Sequence, residues 1–197
     1  MNPGELRERA ELLTLTQSGN AWGWTVEKRI WCKYAETGRK NLFSRVGVGQ
    51  AGAEIIIREI PIDCGRALRV RGQHLFLTDV TRTGIAPVYL KVQAAQVSPV
   101  TATVSRQRAG IGENGYPENR VETVAECPVC LTEKYLRSND ETAAVESTAR
   151  LVAVAPKALV CIPGDRMEIG GAVYRVEVCH TLEPYKNEYE IERVEDD

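Results

Sequence analysis

The chain has 197 residues, 43% of them hydrophobic and only 6% aromatic, with a formal net charge of −2. That length accommodates one large domain or two of roughly 100 residues, each able to bury a modest core. No run of about 18 apolar residues occurs, which excludes a membrane-spanning helix; the N-terminus lacks the order of a signal peptide, and six irregularly spaced cysteines read as reduced thiols of a cytosolic protein.

Taken in order, Pro3-Gly4-Glu5 opens the chain, and Leu6 to Leu15 starts as a helical turn before becoming a strand in which Leu13 and Leu15 alternate with threonines. Ser18-Gly19-Asn20 and Trp22-Gly23-Trp24 mark a loop. Residues 26–35 form a second strand. The stretch 36–52 carries Arg39, Lys40 and Arg45, with Gly47, Gly49 and Gly52 close together, a composition suited to a long mobile loop. Glu54 to Pro61 is an isoleucine-rich strand. Residues 66–80 then alternate around Arg71-Gly72, the signature of a β-hairpin whose tight turn requires positive φ, and residues 88–92 close the unit.

The same order recurs after a join near 94–99. Thr101 to Val104 repeats the first strand, Glu113-Asn114-Gly115-Tyr116 falls where the tryptophan turn stood, and residues 121–129 repeat the second strand. A polar stretch at 134–148 takes the place of the glycine loop. Arg150 to Pro156 matches the isoleucine strand, proline included. A second hairpin turns at Gly170-Gly171, about 99 positions after the first, and residues 188–194 close the repeat before an acidic tail. The recurrence predicts an all-β protein of two tandem small β-barrel or sandwich domains, 1–95 and 96–197, related by internal duplication. Residues 1–97 hold 14 Lys/Arg and 9 Asp/Glu, whereas 98–197 hold 11 and 18, so balances of +5 and −7 underlie the total of −2. Opposite charge suits domains that face different partners or that meet head to tail in a ring.

Cys127-Pro128-Val129-Cys130 invites a zinc reading with Cys161 and Cys179 as further ligands. Against it, residues three apart on a strand point to opposite faces, and the other cysteines stand singly, so the four are read as buried inert thiols. His74 is expected to be solvated at its hairpin turn and His180 to end a strand, with no nucleophile motif beside either. Glu188, Glu190 and Glu192 read as a solvated strand face opposite Tyr189 and Ile191. Gly47-x-Gly49-x-x-Gly52 matches the dinucleotide fingerprint only as text, because a strand and not a helix follows it. No catalytic constellation and no cofactor site emerge, which points to a non-enzymatic protein. The basic residues of 36–52 lack the interleaved aromatics of a single-strand binder.

The leader Gly4-Glu5-Leu6-Arg7, the turn Trp22-Gly23-Trp24, the strand around Ile30-Trp31-Cys32-Lys33, the long loop, the strand Ile55-Ile56-Ile57-Arg58 and the hairpin Leu68-x-Val70-x-Gly72-x-x-Leu75 together resemble the head–tail joining proteins of tailed phages, also called head-closure or stopper proteins. The resemblance covers roughly residues 4–82 and implies a small β-barrel assembled as a ring in the virion neck, between the portal or an adaptor and the tail proteins, with packaged double-stranded DNA passing through. It places Arg39, Lys40, Arg45, Gly47, Gly49 and Gly52 on a loop facing the DNA channel. A second barrel departs from the single-barrel pattern of such relatives. The residues also admit another reading, a cellular tandem β-barrel module that binds nucleic acid or peptide, zinc-stabilised through the cysteines.

Overall fold

A computed structural model describes residues 3–40, 50–84, 88–111, 116–136 and 148–194. Apart from one 3-10 turn at Pro3–Glu5, the regular structure in these residues is entirely β, and no described helix is long and apolar enough to cross a membrane. The chain divides into two compact units. The first comprises residues 1–16 and 24–99, and the second comprises 100–197 together with 17–23.

The first unit is built from β1 (Glu8–Ser18), β2 (Ala21–Lys40), β3 (Gln50–Arg58), β4 (Ala67–Val70), β5 (Gln73–Thr83) and β6 (Tyr89–Val97). Hydrogen bonding runs β1-β4-β5-β6-β3-β2 and returns to β1, a closed barrel. Closure removes the exposed edges that a sheet of this size would otherwise present. The interior is a cluster formed by alternate residues of each strand, among them Leu12, Ile55, Ile57, Leu68, Leu75 and Val92. Arg71 and Gly72, at the turn between β4 and β5, have φ of 51° and 80°, the paired positive values of a type I′ turn. Arg71 is the one described non-glycine residue with positive φ, and its guanidinium bonds both carboxylate oxygens of Glu8.

The second unit repeats this plan with β7 (Val100–Ile111), β8 (Pro117–Leu136), β9 (Thr148–Pro156), β10 (Arg166–Ile169), β11 (Ala172–His180) and β12 (Lys186–Arg193). Its order is β7-β10-β11-β12-β9-β8, again closed by pairing of β8 with β7 and β9. Gly170 and Gly171 turn with φ of 59° and 81°. Each barrel carries a register shift at the same point, between Leu77 and Asp79 in β5 and between Val176 and Val178 in β11. The core holds Val104, Val129, Leu159, Met167, Val176, Tyr189 and their neighbours.

Two strands are longer than the sequence pattern suggests. β2 and β8 each span 20 residues, where 26–35 and 121–129 are the expected extents. Neither the glycine of Trp22-Gly23-Trp24 nor Pro128 interrupts them. Pro128 pairs with Thr101 of β7 at a point where β9, which joins from Cys130, has not yet been added, so its missing N–H leaves that second ladder intact. Residues 36–40 and 50–52 are also strand rather than loop, with Thr37 opposite Gly52 and Lys40 opposite Gln50.

A buried tyrosine ties the barrel of the second unit to the connection between β9 and β10. The Tyr189 hydroxyl donates to the Leu159 carbonyl at 2.7 Å and accepts from the Cys161 amide at 3.1 Å, and Asn187 Nδ2 donates to the same carbonyl at 2.8 Å. Tyr189→Phe is expected to cost about 1–3 kcal/mol, because a buried amide loses its acceptor with no water to replace it. Urea unfolding of the two proteins measures the difference.

Candidate functional site

The residues singled out in the 36–52 stretch divide between strand and undescribed chain. Arg39 and Lys40 are the last two residues of β2. Gly52 is not in a loop but inside β3, buried, with Thr37 and Ala95 as its neighbours across the sheet. Arg45, Gly47 and Gly49 lie outside the described residues.

The cysteines do not assemble into a centre. Cys127 belongs to the core of the second unit, while Cys130 is buried outside that cluster, as alternation along a strand requires. Cys161 is buried in the core, and Cys179 directs its thiol to the Cys161 carbonyl at 3.5 Å. Burial pushes the thiols of Cys127 and Cys161 up to about 12 and raises Cys130 as well, which opposes the thiolate form that metal binding needs. Among the described residues no group of three or more His, Cys, Asp or Glu is placed to hold a metal ion.

Both histidines differ from the solvated or bland roles their positions suggest. His74 is half-buried against two aromatic rings, with Trp24 at 5.5 Å and Phe76 at 5.3 Å between centroids. Burial, and then the Arg69 charge, lower its pKa to about 4. Consistent with a neutral ring, His74 Nε2 is enclosed without a hydrogen-bond partner among the described residues, as is Trp24 Nε1. His180, at the end of β11, instead reaches the Glu190 carboxylate at 2.9 Å.

Glu190 corrects the reading of β12 in part: Glu188 and Glu190 are buried, whereas Glu192, toward the end of the strand, is exposed as expected. Glu190 accepts from Lys134 Nζ at 2.7 Å and lies 3.8 Å from the Arg150 guanidinium. Burial alone would raise its pKa, but hydrogen bonds from Lys134 and His180 outweigh that and hold it below the usual carboxylate range. A carboxylate on a polar face can thus be buried when cations on β8 and β9 close over it. Glu188 is engaged by Lys186 at 2.8 Å.

The most distinctive surface of the first unit is an open groove of about 560 Å³ lined by Arg9, Glu11, Arg29, Arg69, Arg71 and Gly72. Three adjacent strands supply it, because β1 pairs with both β4 and β2. Glu11 bridges Arg29 at 3.2 Å and Arg69 at 2.6 Å, and Glu8 takes Arg71 at 2.7 Å. The hydrogen bond from Arg69 is the largest cause holding the Glu11 carboxyl below its ordinary pKa. Arg9 lies 3.9 Å over the exposed Trp31 ring. Four guanidinium groups against two carboxylates leave a cationic surface, and guanidinium forks match phosphate and carboxylate oxygens. The basic character of this half is visible in the sequence, but its concentration on this face is not, since residues 9, 29 and 69 meet only through barrel closure.

A second, more apolar groove of about 470 Å³ opens on the same unit, lined by Leu6, Ile30, Trp31, Ile57, Arg58 and Ile60. The one carboxylate lining either groove among the described residues, Glu11, is committed to Arg29 and Arg69. No protein-family model matches this chain and no curated protein matches it, so its function has to be read from these residues.

Proposed function

We propose that this protein is a structural, non-enzymatic component of a phage virion neck, a ring that joins the portal of the capsid to the tail around the DNA channel. The reading takes the chain as a duplicated head–tail joining barrel. The observation that carries it is the pair of closed six-stranded barrels with one strand order and opposite net charge in the two halves of the sequence. Such a chain brings two unlike surfaces to a head-to-tail contact, the arrangement from which rings grow. The arginine groove supports a polyanion as neighbour. In this proposal the end of β2, with Arg39 and Lys40, leads toward the channel and its phosphates.

Mixing the purified protein with the portal of the virion, followed by native mass spectrometry, tests the proposal. A defined multiple of this chain on the portal ring is the expected result. A chain that ignores the portal, and binds duplex or single-stranded DNA alone with an affinity that falls steeply with salt, would make it a nucleic-acid-binding module instead.

A further inference from the structure

The second unit includes residues 17–23. There the backbone of Ala21 runs parallel to β8 beside Glu126, the Glu126 amide donates to the Asn20 carbonyl at 2.9 Å, and Trp22 packs against the core of that unit.

The pairing ladders locate the corresponding place on the first barrel. Val80 and Cys179 follow the bulged Leu77 and Val176 by three residues, and they pair with Val92 and Tyr189. Val92 pairs with Ile55, which pairs with Tyr34; Tyr189 pairs with Ala153, which pairs with Leu131. Arg29 precedes Tyr34 by five residues, as Glu126 precedes Leu131. Arg29 of β2 therefore occupies the position that Glu126 occupies in β8. Ile30 and Trp31, which follow it, line the apolar groove. β3 joins β2 only from Cys32, so the groove lies beside a stretch of β2 that β3 does not cover. The site that holds Trp22 in the second unit is, in the first, an open groove with Trp31 49% exposed at its rim.

The matching insert also exists. The hairpin of β7 and β8 corresponds to that of β1 and β2, whose tip is 17–23. It continues past Ser105, where pairing with β10 ends, as a two-stranded ribbon. Its Ile111, Tyr116 and Val121 are 75%, 76% and 64% exposed. A lone ribbon with such side chains in water is marginal, and tyrosine and tryptophan are typical anchors of protein interfaces.

We propose that the β7–β8 ribbon of one copy docks in the apolar groove on the first barrel of a second copy, running along β2 near Arg29 with Tyr116 entering between Trp31 and Ile60. The contact joins unlike surfaces, so each copy both gives a ribbon and receives one, and the assembly propagates into a ring or filament. The inference rests on the self-assembly part of the proposed function and does not require the portal.

Cross-linking tests it with both aromatic side chains left in place. A protein carrying Arg58→Cys, at the groove rim, is mixed with one carrying Pro117→Cys, beside Tyr116, and treated with a short bis-maleimide. The products are mapped by mass spectrometry so that the native cysteines are told apart. The expected product is a dimer linked between positions 58 and 117, reduced at least tenfold when Tyr116→Ser is added to the second partner. No such link, or a link found only within single chains of the doubly substituted protein, overturns the proposal. A 58–117 dimer from a protein that does not bind the portal would retire the neck reading and leave this interface standing.

Discussion

Asp165→Ala is expected to destabilise the second barrel by about 3–5 kcal/mol, the cost of breaking a buried ion pair from one side. Asp165 is 1% exposed. Both its oxygens accept from Arg106, each at 2.7 Å, and one also accepts from the Ile162 amide at 2.8 Å. Its backbone bonds Ile162 and Val176, so the same residue fixes the end of the 157–165 connection and its junction with β11. Alanine removes three acceptor contacts and leaves the Arg106 guanidinium, itself largely covered, without its counter-charge. Asp165→Asn keeps the shape and some of the hydrogen bonding and should fall between the two proteins. Urea unfolding followed by far-ultraviolet circular dichroism gives the values. A loss below about 1 kcal/mol would mean that the pair behaves like a surface salt bridge.

The second large effect depends on pH. His74 is neutral in the folded protein down to about pH 4, whereas in the unfolded chain it takes a proton near 6.5. Between these values the unfolded state binds more protons, so folding stability falls as pH is lowered from about 6.5 to about 4 and levels off below. The full loss from this one group is roughly 3 kcal/mol. His74→Phe cannot be protonated and keeps an aromatic ring beside Trp24 and Phe76. It is expected to abolish this part of the acid limb. Carboxylates held low by arginine or lysine, such as Glu11 and Glu190, lose their contribution at lower pH in both proteins, so they cancel in the comparison. Unfolding free energies at pH 7 and pH 4.5 decide it. An unchanged difference between the two pH values in the variant would place the His74 ring in water.

The grooves show how local and non-local information divide. Arg9, Trp31 and Ile60 are ordinary strand or loop residues in the sequence, and nothing in their spacing distinguishes them from Thr101 or Pro128 of the second unit. Arg9 joins one groove because β1 meets both β2 and β4 when the barrel closes, and Trp31 and Ile60 join the other because β2 pairs with β3. The wet-face reading of Glu190 failed for the same reason. Alternation correctly separated it from Tyr189 and Ile191, but Lys134, 56 positions away, covers this carboxylate.

By itself the sequence determined the all-β class, the two glycine hairpins at 71–72 and 170–171, and the recurrence of one element order along the chain. These follow from period-two alternation and from turns that need positive φ, which act over a few adjacent residues. Only the tertiary structure decided that β2 and β8 run 20 residues each, that each barrel closes, that His74 packs half-buried against Trp24 and Phe76, and that Glu190 is buried. Strand length is set by available partners, and desolvation by what packs over a side chain. Both come from residues distant in sequence, which no local pattern records.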